Sequence, residues 1–249
     1  MTVAGLPRAP AGRRIQAVDV ARQLVTTVGG RYSTELGIDV DRGDDQVERW
    51  FLAATLFGTR ISAAIARRAF LVLDRAGITR VGRARDVSWD ELVALLDEGG
   101  YARYDFRTAT RLQTLAGALD SRCGGHVAAI GRNFPDYTGL RDALDALPGW
   151  GPVTVGLFLR ELRGIWPGAT PPLDDRAADA ARHLHLTRAR AAAPTLAAVV
   201  RIASDARLDV ADLEAGLVRL SLAHHDDMAA CPGGHRCRVL TRHSGEETA

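Results

Sequence analysis

The chain has 249 residues, a formal net charge of only +2 and a hydrophobic fraction of 47%. This length supports a large core, arranged as one domain or as two small lobes. No apolar run reaches the length of a membrane span, and residues 1–14 lack the long apolar core of a secretory signal. We therefore expect a cytoplasmic protein without a membrane partner.

All 32 basic residues are arginines, because the sequence contains no lysine. This excludes enzymes that form a Schiff base through a lysine side chain and nucleotide hydrolases that bind phosphate with a loop lysine. Arginine still binds phosphate groups bidentately, and a near-neutral total charge is compatible with a basic face. Nucleic acid therefore stays open as a partner.

Apolar residues recur at helical intervals along most of the chain. After a Pro- and Gly-rich tail, they predict a helix over 14–28, a polar linker over 32–43 and a central buried helix over 44–57. Further helices are predicted over 59–76, 89–96, from about 105 to 119, and over 124–133, 138–146, 153–162, 174–186, 195–204 and 210–223. No strand-like alternation persists, so the predicted fold class is all-α.

A two-glycine turn, LPGWG at residues 147–151, runs directly into the apolar segment 153–162. Glycines permit backbone angles that a side chain would forbid. The amides near Gly149, Gly151 and Val153 have no acceptor one turn earlier, and the helix dipole makes such a group of amides an anion site, with phosphate as the natural ligand. Because the same composition builds an ordinary corner between two helices, the turn alone leaves both interpretations open.

A proline-containing linker then leads to two adjacent carboxylates, Asp174 and Asp175, at the start of another Ala-rich segment. The order of L-P-G-x-G turn, three-turn helix, linker and aspartate resembles the helix-hairpin-helix (HhH-GPD) DNA glycosylase superfamily, which contains endonuclease III. The resemblance covers about residues 44–222. It implies a two-lobed helical fold, in which residues 44–168 form a helical-barrel lobe with the hairpin and residues 169–249 form a C-terminal lobe that packs with residues 1–43.

The resemblance also implies a function in base-excision DNA repair. A nucleoid-associated monomer would bind double-stranded DNA across the two lobes, flip out a damaged or mispaired base and hydrolyse its N-glycosidic bond. Bond breakage builds positive charge on the sugar, which a carboxylate stabilises directly or through activated water. Alignment with the family places Asp174 at the catalytic position. Asp175 is the alternative, since some relatives carry a doubled aspartate whose second member is the catalyst, and simple helix capping is the alternative for both.

By the same resemblance, DNA contacts are expected along the hairpin, at Leu147, Gly149, Trp150, Gly151, Val153 and Thr154. A second group of aromatic and cationic residues precedes the helix that begins near residue 105. There we predict Tyr104 as the wedge that fills the base stack after flipping and Arg107 as a phosphate contact. Tyrosines packed at a helix junction beside solvated arginines are the alternative.

One departure from the family concerns the reaction. Bifunctional relatives carry a lysine in the hairpin helix at the position of Val153. The resemblance therefore implies a monofunctional glycosylase, which leaves an abasic site and does not cut the strand. A second hypothesis is a catalytically silent protein of the same fold that binds damaged or structured DNA, and a third is a helical protein unrelated to nucleic acid.

The other departure concerns metals. Cys231 and Cys237 resemble the second half of a four-cysteine iron–sulfur loop, but Ser221 and Met228 stand at the positions of the first two ligands. We therefore predict no cofactor. One alternative is zinc at the two cysteines, completed by nearby histidines: His224, His225 or His235. Another, implied by the resemblance, is a monovalent cation at the hairpin carbonyls of Asp145, Leu147 and Trp150.

Overall fold

The computed structural model describes residues 11–59, 61–187, 194–224 and 227–241, with side chains from residue 15 onward. Within these ranges the regular structure is helical and contains no strand, which confirms the all-α class. No helix in the described ranges is long and apolar enough to cross a bilayer. The chain divides into two compact units, and we call residues 32–171 the contiguous unit and residues 1–31 with 172–249 the terminal unit.

The contiguous unit starts with the short helix α2 and then contains the predicted central helix. Its helices are α2 (Tyr32–Glu35), α3 (Asp44–Phe57), α4 (Ala63–Arg75), α5 (Trp89–Glu98), α6 (Asp105–Cys123), α7 (Val127–Asn133), α8 (Tyr137–Asp145) and α9 (Pro152–Glu161), with 3₁₀ turns at Val40–Arg42 and Val81–Arg85. The terminal unit contains α1 (Ala11–Val28), α10 (Asp175–His183), α11 (Leu196–Ala206), α12 (Val210–His224) and α13 (Arg238–Thr241), with 3₁₀ turns at Met228–Ala230 and Gly234–Arg236.

Helix α3 is the core of the contiguous unit, as its apolar sequence predicts. Trp50 and Phe51 are fully buried, and the indole Nε1–H of Trp50 donates to the Phe158 carbonyl of α9 at 3.2 Å. Phe51 stacks on Trp150 with ring centroids 4.3 Å apart. These contacts tie α3 to both the hairpin turn and the hairpin helix, because aromatic rings bury large areas and stack with defined geometry.

Residues 32–43 differ from the predicted polar linker. Leu36, Ile38 and Val40 alternate with Gly37 and Asp39 and are buried in the contiguous unit. The start of α2 is held by Glu161, whose buried carboxylate accepts hydrogen bonds from the Tyr32 and Ser33 amides at 2.7 and 2.9 Å. The free amides at the start of α2 are thus satisfied by a carboxylate that is distant in the sequence, and no local sequence pattern reveals such a partner.

The terminal unit joins the two ends of the chain around α12. Its core consists of small and branched side chains, including Val20, Leu24, Leu213 and Leu217. The chain after α1 is held by an ion pair between the Arg31 guanidinium and the Asp209 carboxylate, at 2.7 Å.

Several helix boundaries follow from side-chain caps. Ser88 caps α5 as predicted, with its hydroxyl accepting from the Glu91 amide at 3.2 Å. Helix α4 begins four residues later than predicted, because Ser62 occupies its N-cap.

Candidate nucleic-acid interface

The hairpin turn between α8 and α9 requires only one of its two glycines. Gly149 has φ +77°, and a Cβ at this position would lie 2.3 Å from Cδ of Arg111. Gly151 has extended backbone angles, φ −162° and ψ 177°, which any residue adopts, and a Cβ there would meet no atom within 4 Å. The fold therefore requires glycine at position 149. At position 151 it does not, and the missing side chain leaves free space at the surface.

The space above Gly151 lies at the start of α9. The first hydrogen bond of this helix runs from the Val155 amide to the Gly151 carbonyl at 3.0 Å, so the amides of Val153 and Thr154 precede it. Gly151 is the N-cap residue and has no side chain that could accept from them. Val153 is 75% exposed, which places this helix start at the protein surface. The amides and the helix dipole together favour an anion.

A half-buried arginine lies beneath the turn. The stem of Arg111, from α6, packs under Gly149, and its Nη2 donates to the Thr55 carbonyl. Its Nε is buried without a hydrogen-bond partner, and burial lowers the pKa of this guanidinium. Because arginine stays charged in proteins, the positive charge adds to that of the helix start. The sequence shows Arg111 only as one of several arginines in α6.

Three of the predicted hairpin contacts have buried side chains. Leu147, Trp150 and Thr154 are each less than 8% exposed. The Trp150 indole stacks in the core and donates to Thr55 Oγ1 at 3.2 Å. Thr154 packs so closely on Gly58 that a Cβ there would lie 2.1 Å from Thr154 Oγ1. At these three positions the side chain is therefore not available to a ligand.

The start of α6 carries the other predicted contacts. Tyr104, the N-cap residue, is 44% exposed, and Arg107 is exposed one turn later. Phe106 is more exposed, at 60%, and its ring lies 5.3 Å from that of the partly exposed Trp89. Tyr101 is instead buried and donates to the Leu56 carbonyl at 2.9 Å. The structure thus adds Phe106 as a second candidate wedge, which sequence reasoning missed because exposure depends on neighbouring helices.

The exposed aromatic residues and Arg111, which contacts the hairpin turn, belong to the same stretch of chain around α6. Arg111 follows Tyr104 by seven positions, which corresponds to roughly 10 Å along the axis of α6. The start of α6 and the hairpin turn therefore both adjoin this helix within the contiguous unit.

The aspartate pair lies in the terminal unit, at the start of α10. Asp174 is the N-cap residue and is half-buried, and its Oδ1 accepts from the Arg176 and Ala177 amides at 2.9 and 3.4 Å. Asp175 is the first helical residue and is exposed. Capping and catalysis are compatible, because the two hydrogen bonds from backbone amides fix the orientation of one carboxylate oxygen.

The linker before the aspartates is anchored to the contiguous unit. Trp166 is buried, with its ring 5.5 Å from that of Phe158, and it fills the space that a side chain on Gly131 would occupy. Arg163 donates to the Pro171 carbonyl at 2.8 Å. These contacts hold the linker in place as far as the boundary of the unit.

The cysteines of the incomplete loop meet two histidines in the terminal unit. One donor atom from each of His183, His224, Cys231 and Cys237 lies within 4.8 Å of the others. His224 was predicted near the cysteines. His183 was missed, because it belongs to α10. The predicted alternative His235 contacts Gln16 at 2.9 Å, and His225 lies outside the described residues.

Comparison of the chain with protein-family models gives no match, and comparison with curated protein sequences gives none either.

Proposed function

We propose that this protein is a monofunctional DNA glycosylase that hydrolyses the N-glycosidic bond of a damaged or mispaired base in duplex DNA. The observation that carries the proposal is the hairpin, where the start of α9 has no side-chain cap and the half-buried Arg111 packs against Gly149 of the adjoining turn. Gly151 supports the same conclusion, because its backbone angles do not require glycine whereas a closely approaching phosphate does.

The carboxylate of Asp174 supplies the chemistry in this proposal. As the glycosidic bond breaks, positive charge develops on the sugar, and an oriented carboxylate stabilises it or activates the attacking water. The two hydrogen bonds that backbone amides donate to Asp174 Oδ1 hold this side chain in one orientation, whereas the Asp175 side chain is exposed. Because the sequence lacks lysine, no lysine amine attacks the sugar, and the product is an intact strand with an abasic site.

A catalytically silent DNA-binding protein is the second candidate. The observation that favours it is that Asp174 already serves as the N-cap of α10, a role that accounts for the residue without catalysis. The two candidates share the hairpin and differ only in turnover.

A strand-scission assay tests the proposal. Duplex oligonucleotides carry an alkylated purine, uracil, thymine opposite guanine, oxidised guanine, or adenine opposite oxidised guanine, and each is assayed with and without alkali. We expect cleavage of one substrate only after alkali. Asp174→Asn should slow single-turnover excision by about 10²–10⁴-fold, the usual contribution of a catalytic acid–base group, while DNA binding is retained.

The matched control is Asp136→Asn, because Asp136 caps α8 through the same type of bond, to the Gly139 amide at 2.9 Å. Asparagine caps helices as well as aspartate does, so both variants lose a charge and keep the cap. Excision that survives in Asp174→Asn but is lost in Asp175→Asn would reassign the catalyst. DNA binding without excision of any base on the panel would favour the silent candidate, and cleavage without alkali would contradict the monofunctional assignment.

A further inference from the structure

The cluster of His183, His224, Cys231 and Cys237 has the geometry of a closed metal site. The donor atoms lie within 4.8 Å of one another, and His224 Nε2 is 3.2 Å from Cys237 Sγ. In a tetrahedral site with Zn–S bonds of 2.3 Å and Zn–N bonds of 2.0–2.1 Å, neighbouring donor atoms are separated by about 3.3–3.8 Å. A small inward shift of four side chains brings the cluster to that geometry.

One atom of the cluster is buried without a partner. His183 Nε2 is inaccessible to solvent and makes no hydrogen bond. Its ring lies 4.9 Å from the ring of His224, at an interplanar angle of 75°, so the two imidazoles converge edge to face. A buried polar atom that lacks a partner costs free energy. A metal bond at Nε2 removes this cost.

The backbone of the cysteine loop is shaped to reach the histidines. Gly233 has φ +68°, and a Cβ there would lie 2.4 Å from the carbonyl oxygen of His183, so glycine lets the loop pack directly on the end of α10. The Arg238 amide donates to Cys231 Sγ at 3.3 Å. Amide donors to sulfur are outer partners that orient a thiolate ligand.

The location favours a cation. His183 and His224 are the last residues of α10 and α12. Helix C-termini carry partial negative charge, so the site lies where two helix dipoles stabilise positive charge. Buried donor atoms at this position are therefore suited to a metal ion and unsuited to an anion.

We propose that these four residues bind a single zinc ion as a structural Cys₂His₂ site. Two thiolates and two imidazoles in tetrahedral arrangement are the ligands and geometry that zinc prefers, and four protein ligands leave no position for substrate. An iron–sulfur cluster does not fit, because its irons and inorganic sulfides require protein ligands held wider apart than this group. The site ties the cysteine loop to α10 and α12, and it is independent of the proposed glycosylase activity.

The first test uses the full-length protein as purified, without affinity-tag histidines. Elemental analysis should give one zinc ion per chain. After the metal is removed under reducing conditions, addition of Co²⁺ should produce the visible d–d bands of a tetrahedral cobalt–thiolate site, and stoichiometric Zn²⁺ should abolish them. Absence of zinc together with absence of these bands would overturn the proposal. So would a brown protein that contains iron and sulfide, or a Cys231–Cys237 disulfide in metal-free protein kept under reducing conditions.

The second test assigns the ligands. His183→Asn, His224→Asn, Cys231→Ser and Cys237→Ser should each weaken zinc binding by more than about 100-fold, since even loss of an outer partner typically costs 10–100-fold. The matched controls are Cys123→Ser and His235→Asn, which remove the same chemical groups outside the cluster. Both should retain one zinc ion per chain. Equal loss in variants and controls, or retention by all four variants, would contradict the assignment. The cobalt spectrum of the unmodified chain decides the proposal even if a variant does not fold.

Discussion

The hairpin and the cysteine loop both pack glycine against another element, but they present opposite chemistry. At the hairpin, Gly149 admits the stem of Arg111, and the N-terminus of α9 has no side-chain cap. At the cysteine loop, Gly233 admits the C-terminal carbonyl of α10, and the side chains turn inward. Because the two ends of a helix carry opposite partial charges, the first arrangement is suited to an anion and the second to a cation.

Metal removal should give the largest difference in stability between the terminal unit, which contains the cysteine loop, and the contiguous unit, which contains the hairpin. A zinc chelator with reductant should destabilise the terminal unit by on the order of 5 kcal/mol or more, because structural zinc in small domains contributes about 10–16 kcal/mol of apparent binding free energy. Hydrogen exchange should show lost protection in α10 and α12 and unchanged protection in α3. The same treatment of Cys237→Ser should have no further effect. Equal loss of protection in both units would contradict a local role.

The hairpin glycines should respond in opposite ways to substitution. Gly149→Ala should lower the free energy of unfolding by about 3 kcal/mol, because it combines a positive φ with a Cβ that overlaps Arg111. Gly151→Ser should leave stability unchanged or raise it by up to about 1 kcal/mol, since serine is a good N-cap residue. The serine hydroxyl would nevertheless accept hydrogen bonds from the amides at the start of α9, so these amides would no longer be free to bind phosphate. The affinity for DNA should therefore fall.

Urea denaturation and salt-dependent DNA binding measure both effects. The anion-site interpretation requires stability and DNA affinity to change independently at Gly151. If Gly151→Ser binds DNA as tightly as the unmodified chain and with the same salt slope, these amides do not contact phosphate.

A buried carboxylate should give the contiguous unit a pH response of its own. Glu48 is 3% exposed, its Oε1 accepts from the Ala128 amide at 3.3 Å, and its Oε2 is buried without a partner. Burial raises its pKa from 4.5 to about 7, against the lowering effect of the backbone hydrogen bonds. Between pH 4.5 and about 7, Glu48 is therefore protonated in the folded state and ionised in the unfolded state. The free energy of unfolding falls as the pH rises through this range and is constant above it.

Glu48→Gln should remove this penalty. The free energy of unfolding should exceed that of the unmodified chain by about 2 kcal/mol at pH 8, where Glu48 is charged, and should match it or fall slightly below it at pH 4.5. Denaturation at the two pH values measures the difference. A stability change that is the same at both would show that Glu48 titrates normally.

The smallest effects on stability are expected at the exposed aromatic residues of α6. Tyr104→Ala and Phe106→Ala should each change the free energy of unfolding by less than about 0.5 kcal/mol, because exposed side chains contribute little. The true wedge should slow excision of a flipped base and leave affinity for undamaged duplex unchanged. Tyr101→Ala is the contrasting variant, since its buried ring and hydroxyl should make it strongly destabilising. If neither exposed ring affects excision, the wedge lies elsewhere.

Sequence reasoning worked best where a feature is encoded locally. The predicted bounds of α3 agree with the structure, and the Ser88 cap of α5 was identified, because a helix stripe and its cap lie within a few residues of each other. It worked less well for residues 32–43, whose order depends on the carboxylate of Glu161. A partner at that distance along the chain leaves no trace in local composition.

The candidate sites show the same division. The turn, its glycines and the aspartate pair were evident from the sequence, because backbone amides and adjacent carboxylates act through short segments. The burial of Trp150, the position of Arg111 beneath Gly149 and the inclusion of His183 beside two cysteines were decided only by tertiary structure. The physical reason is that periodicity and capping are short-range interactions, whereas the burial of a side chain and the convergence of ligands depend on how separate helices pack.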